Sequence, residues 1–193
     1  MARPSVQHER KQEILDAFER CIINYGVEGA GLQKIADEAG LARPLIRHHV
    51  GNREDLLDEL VERFIARSDA VIEDMGRSMP DSGRGEYLLQ LLFAPQYQVS
   101  DHSTLLFQAL LVASQTRPAL RRRLDKWNRD FIDLLVTELA DEHPEAGDDD
   151  IAEVAMGIAA LYYNADSMGA LGSRTVLYET SWRAARRLLA TLA

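Results

Sequence analysis

A single cysteine, Cys21, is all the thiol chemistry this 193-residue chain offers. One thiol excludes an internal disulfide and any zinc site built from several cysteines. Also missing is any run near the roughly 18 uncharged apolar residues that a membrane span needs. Residues 2–12, ARPSVQHERKQ, hold no apolar stretch of the secretory type, so a cytoplasmic location without membrane attachment is expected. No segment alternates apolar and polar residues as a half-buried strand does. A Gly-rich phosphate loop, a nucleophile elbow and a spaced His/Glu metal motif are all lacking, so neither enzymatic activity, a cofactor nor a metal is expected.

Net positive charge is lacking too. Lys and Arg number 22 against 31 Asp and Glu, a formal charge of -9. Residues 1–60 carry eight basic and eleven acidic side chains, so even this part is net negative. An acidic body weakens non-specific nucleic-acid binding, which is largely electrostatic. Within that acidity one stretch has no acid at all. Ala39 to Arg53, AGLARPLIRHHVGNR, carries Arg43, Arg47, Arg53, His48 and His49 and not one Asp or Glu. The acids of residues 1–60 flank this patch without entering it, which marks it as reserved for a polyanion.

What is present is helical periodicity. Ile14, Ala17, Phe18, Cys21, Ile22 and Tyr25 form one stripe of a helix over about 8–25, which Gly26 stops. A short helix over 31–39 turns Leu32, Ile35, Ala36 and Ala39 inward. Gly40 suits the turn after it, and Pro44 suits the first turn of a third helix ending at Val50. Asn52, with Asp55 three residues on, reads as the N-cap of a fourth helix running to about Met75. Beyond the linker 76–85 the pattern predicts helices over about 86–93, 103–115, 118–139, 151–170 and 176–192. The acids Asp148, Asp149 and Asp150 read as capping residues.

Two short helices around Gly40 suggest a helix-turn-helix, in which the second helix enters the major groove of double-stranded DNA. Leu41, Ile46 and Val50 would then point to the core. Arg43, Pro44, Leu45, Arg47, His48 and His49 are left for the outer side. Arginine can pair bidentately with guanine, and Pro44 and Leu45 can meet thymine methyls. Arg43, Pro44 and His48 are assigned to bases, and Arg47, His49 and Arg53 to phosphates. Arg3, Arg10 and Lys11 form an N-terminal arm within reach of an adjacent groove or the backbone.

These pieces resemble the TetR-type transcriptional regulators. The resemblance rests on Tyr25–Gly26, then Ile35–Ala36–Asp37–Glu38–Ala39–Gly40–Leu41, then Ile46, His49 and Val50, then Asn52–Arg53–Glu54–Asp55–Leu56–Leu57. It covers about residues 10–60. The chain departs from the pattern at Gly31, where Thr is frequent, at Ala42, where many members have Ser or Thr, and at Arg47, where many have Tyr.

The helical periodicity predicts an all-α protein of about nine helices, and the resemblance divides it into two domains. Its N-terminal three-helix DNA-binding domain would cover 1–53, and a larger helical ligand-binding and dimerisation domain 54–193. It implies a homodimeric repressor that binds a palindrome and is released by a small-molecule effector, with Gln33 as a further DNA contact. Compatible ligand residues are Tyr87, Phe93, Phe107, Gln108, Trp127, Phe131, Tyr162, Tyr163 and Asp166. Asp166 would meet either a cationic or hydroxylated ligand or an arginine across a subunit interface. Compatible dimer residues are Gly157, Ala160, Leu161, Asn164, Trp182, Ala185 and Leu189. The rival reading is a helical small-molecule-binding protein or enzyme that has lost DNA binding.

Overall fold

A computed structural model describes residues 6–95 and 100–192. Nine α-helices occur among them, and no strand. They are α1 (Val6–Gly29), α2 (Leu32–Ala39), α3 (Arg43–Val50), α4 (Arg53–Arg77), α5 (Arg84–Phe93), α6 (Asp101–Ser114), α7 (Pro118–Glu142), α8 (Asp148–Met168) and α9 (Arg174–Leu189). A π-helical turn, Gly169–Ser173, joins α8 to α9, and a 3-10 turn, Ala190–Leu192, follows α9. The all-α architecture expected from periodicity is the one observed.

The chain forms two compact units. The first takes residues up to Asp69 together with Leu105–Arg122. The second takes Ala70–Thr104 and Arg123 onward. The first is thus larger than the three-helix segment 1–53. The reason lies in α4, whose first half buries Leu56, Leu57, Leu60 and Val61.

In the first unit α1 packs on α2 and α3, and α2 on α3. The predicted stripe of α1 is its core: Ile14, Ala17, Phe18, Cys21 and Ile22 are all at most 1% exposed. Tyr25 departs from that stripe and stays 55% exposed, with the Lys34 ammonium 4.0 Å above its ring. The regular part of α1 ends where sequence placed the stop. Gly26 has φ 71 and ψ 167, a left-handed setting that a side chain would strain, and a short helical turn follows to Gly29. Polar groups reinforce the α1–α4 packing. Arg63 donates to Glu19 at 2.5 Å and to Asp16 at 2.7 Å, and Arg67 donates to Glu19 at 3.1 Å. Glu19 is buried, and two guanidiniums offset the cost of removing its charge from water.

The second unit is built around α5, α7, α8 and α9. Its core gathers Leu89, Phe93, Phe131, Leu135, Ala155, Ile158, Tyr178 and Ala185. The α8–α9 packing is close because Gly157 has no side chain. A Cβ there would lie 2.8 Å from Leu188 Cδ1. α8 begins three residues before Ile151, because Asp148, Asp149 and Asp150 form its first turn, where carboxylates favour the positive end of the helix dipole.

Candidate nucleic-acid interface

The α2–α3 pair is punctuated by backbone chemistry. Gly40 adopts φ 65 and ψ 31, and the chain closes α2 with a Schellman motif. The Leu41 N–H donates to the Ala36 oxygen at 2.9 Å, and the Gly40 N–H to the Asp37 oxygen at 3.3 Å. Ala42 then caps α3 in an extended conformation with no side-chain bond, since it has no hydroxyl to offer. Pro44 sits in the first turn of α3, where its missing N–H costs no helical bond.

Helical spacing sorts the residues of α3. Ile46 is 0% and Val50 4% exposed, which fixes the inward face. Directly opposite, on the 3.6-residue period, stand Pro44, Leu45 and His48, all exposed. Arg43 and Arg47, one turn apart, form one flank, and both are exposed. His49 forms the other flank and is half-buried, its ring 5.2 Å from that of His48. Leu41 is half-buried at the foot of the turn.

Arg43 and Arg47 have no acidic partner among the described residues. Most other arginines and lysines of the first unit are engaged. Arg10 pairs with Glu13, Lys11 with Glu59, and Arg20 with Glu38 at 2.5 Å. Gln33 is exposed on α2 and donates to its neighbour Asp37 at 2.8 Å. Arg3 lies outside the described residues.

Arg53 is turned the other way. Its Nε donates to the Ala30 carbonyl at 3.2 Å and its Nη2 to the Val27 carbonyl. Its Nη1 donates to Glu54 at 2.9 Å. The side chain is committed to the α1–α2 connection and is 21% exposed. Beside it Asn52 is the N-cap of α4. Its Oδ1 accepts from the N–H groups of Glu54 and Asp55 at 2.8 and 3.0 Å. Asp55 Oδ2 accepts in return from the Asn52 N–H at 3.1 Å, which completes a capping box.

The aromatic residues singled out from sequence separate into two groups. Phe93, Phe131, Tyr162 and Tyr163 meet in the second unit, with ring centroids 5.7 to 6.1 Å apart. Phe107 and Gln108 belong to the first unit, where Phe107 stacks on Phe64 at 6.0 Å. Tyr87 and Trp127 are half-buried in the second unit. Burial pushes the phenols of Tyr162, Tyr163 and Tyr178 well above their ordinary range, and the Asp166 charge adds to this at Tyr162 and Tyr178. The Tyr163 hydroxyl is buried without a hydrogen-bond partner among the described residues.

Asp166 finds its partners inside its own chain. Both carboxylate oxygens accept from Thr104 Oγ1 at 2.9 Å. Oδ1 also accepts from Tyr178 at 3.2 Å and from Arg174 at 3.5 Å. Arg174 in turn pairs with Asp101. Sequence reasoning did not single out Thr104, Arg174 or Tyr178. The signal available was Arg174 and Tyr178 four residues apart at the start of a helix, which sets both on one face.

The small and apolar residues of the last two helices also divide. Ala185 is 0% exposed, while Leu161, Trp182 and Leu189 pack against the core. Ala160 and Asn164 are exposed, in line with Ala152, Met156 and Met168 along one face of α8. An open groove of about 550 Å³ runs along Asp149, Ala152, Glu153, Met156, Gly157 and Ala160. No helix is long and apolar enough to cross a membrane among the described residues.

Residues 14–60, which hold α2, α3 and their braces, match the profile of "Bacterial regulatory proteins, tetR family". The HTH-type transcriptional repressor AcnR of Corynebacterium glutamicum is 30% identical over 131 residues, 60% of this chain and 66% of that protein. The HTH-type transcriptional regulator BetI of Escherichia coli K12 is 26% identical over 165 residues, 83% of this chain and 82% of that protein. Among solved structures, a putative transcriptional regulator from Pseudomonas aeruginosa PAO1 superposes with a TM-score of 0.79 at 22% identity, over 95% of this chain and 90% of that one. A TetR-like transcriptional regulator from Rhodococcus sp. RHA1 gives 0.74 at 19% identity, over 94% and 96%. These last two likenesses are of fold.

Proposed function

We propose that this chain, whose residues 14–60 match the tetR-family profile and which is similar to the repressor AcnR, is a cytoplasmic transcriptional repressor whose α3 reads double-stranded DNA. The observation that carries the reading is the outer face of α3. Arg43 and Arg47 stand exposed and unpaired by acid, in a protein of net charge -9 whose other described cations in the same unit are largely engaged. Pro44, Leu45 and His48 face the base edges. Arg43, expected at a base from sequence, shares its flank of α3 with Arg47, so both are assigned to phosphates there; His49 takes a phosphate on the other flank, and Gln33 adds a contact from α2. Arg53 serves the head from within.

The protein acts as a twofold dimer, so that two copies of α3 address two half-sites of a palindrome. The exposed line Ala152, Met156, Ala160, Asn164 and Met168 of α8 is the dimer surface. A small-molecule effector is bound by the aromatic interior of the second unit at Tyr162 and Tyr163. It releases DNA to the extent that it prefers the DNA-free state.

Selection of duplexes from a random pool tests the reading. The full chain is expected to retain a palindromic sequence. Replacing Arg47 by Ala should lower the slope of log affinity against log salt by about 1.8, one phosphate contact of about 0.9 from each copy of α3. His48→Ala should change which sequence is retained. Equal binding to all duplexes, or none, would sink the reading and leave the rival of a helical ligand-binding protein.

A further inference from the structure

We infer that Arg117, in the corner between α6 and α7, is a positioning residue for the DNA-reading helix and a point at which DNA affinity can be regulated. The inference rests on the DNA-binding reading of α3. It starts from Arg53, which ties together the two connections on either side of the α2–α3 pair. Its backbone follows α3 by three residues. Its guanidinium donates to Val27 and Ala30, in the turn that precedes α2. The start and the end of the reading unit therefore meet at one side chain.

Arg117 loads the same cluster from 89 residues away in sequence. It donates to Glu28, which lies in the turn between Val27 and Ala30. Its second Nη is 3.5 Å from Glu54 Oε1, the oxygen that also accepts from Arg53. Arg53 Nη2 lies 3.8 Å from the other oxygen of Glu28. Two guanidiniums and two carboxylates thus share their charges around the α1–α2 turn. Arg117 holds the Glu28 carboxyl below its ordinary range. Lys34 donates to the Gly29 oxygen at 3.1 Å in the same turn, but it comes from α2 itself. Arg117 is the member brought by the α6–α7 corner.

Without Arg117, both carboxylates compete for Arg53. That competition draws the Arg53 guanidinium off the Val27 and Ala30 carbonyls and loosens the tie that sets α3. Any event that moves the α6–α7 corner has the same effect. Glu28 and Glu54 are 72% and 62% exposed, so the pairs add little to global stability and variants are expected to fold. Their value is geometric.

The test uses the full chain and the duplex it selects from a random pool. Arg117→Glu is expected to bind that duplex at least tenfold more weakly. Arg122→Glu, an exposed neighbour with the same change of charge, should cost far less. Glu28→Arg should weaken binding as well, and Glu28→Arg combined with Arg117→Glu should recover to within about threefold of the parent. Exchange of the amide hydrogens of residues 42–53 gives a readout independent of DNA. It should quicken in Arg117→Glu and return in the double variant. If Arg117→Glu binds like Arg122→Glu, or the exchange of 42–53 does not change, the inference is overturned while the DNA reading stands. If the parent selects no duplex, the DNA reading falls and the exchange alone decides whether Arg117 positions α3.

Discussion

Arg53 donates through Nε to the carbonyl oxygen of Ala30 at 3.2 Å, across 23 residues of sequence. The α1–α2 connection has no side-chain cap of its own, since Gly31 precedes α2 with no side chain to bond. The Val27 and Ala30 carbonyls in this connection are met by an arginine from α4. Replacing Arg53 by Ala removes these bonds together with the contact to Glu54. Hydrogen bonds to a charged group contribute about 1.5–3 kcal/mol, so Arg53→Ala should lower unfolding stability by about 2 kcal/mol. Arg53→Lys should recover only part, because one ammonium cannot repeat the fork. Urea denaturation reads the difference, and an unchanged midpoint would refute the clamp.

That relationship also marks where sequence reading stopped. The ends of α2 and α3 were legible because Gly40 and Pro44 punctuate them locally. The burial of Ile46 and Val50 followed from the helical period. Arg53 was grouped with the phosphate-binding cations because it closes a run free of acids, yet its acceptors lie 23 and 26 residues earlier. Asp166 was legible as a charge needing a partner, but not which partner. Thr104 is 62 residues away, and its position next to the carboxylate is a product of packing. Gly157 was legible as a small residue at a close approach. That its neighbour is Leu188 of the same chain was not.

Asp166 joins three helices of the second unit through Thr104, Tyr178 and Arg174. Its side chain is 13% exposed. Asn in its place keeps the volume and removes the charge, so that Arg174 keeps Asp101 as its carboxylate partner. Removing one partner of a buried pair costs about 3–5 kcal/mol. Partial exposure of Arg174 reduces this, so Asp166→Asn should destabilise by about 2 kcal/mol, seen as a lower melting temperature. A variant as stable as the parent would show that the carboxylate charge is not what the cluster requires.

Burial raises the phenol pKa of Tyr162, Tyr163 and Tyr178 in the folded protein above that of the unfolded chain. The folded state therefore holds these protons more tightly. The stability this represents is fully present below the unfolded value of about 10 and is lost as pH rises above it. Ultraviolet titration should show part of the tyrosine signal rising smoothly near pH 10 and the rest only together with loss of helical circular dichroism. Complete ionisation while the helices persist would contradict the burial of these rings.

Gly157 and Ala160 lie one turn apart on α8 but serve different contacts, and their variants should separate folding from assembly. A Cβ at Gly157 meets Leu188 within the chain, so Gly157→Leu overpacks the α8–α9 seam. Overpacking costs about 1–3 kcal/mol, and the melting temperature should fall at any protein concentration. Ala160 is exposed on the line proposed to face the second copy. Ala160→Arg leaves the chain's own core untouched, so a monomer should keep its stability to within about 0.5 kcal/mol. In the proposed dimer it buries two unpaired guanidiniums at the interface. Sedimentation equilibrium should then find Ala160→Arg monomeric where the parent is dimeric. DNA affinity should fall with it, since one copy of α3 grips only one half-site. A parent that is monomeric, or an Ala160→Arg variant that stays dimeric, would remove this face of α8 from the assembly.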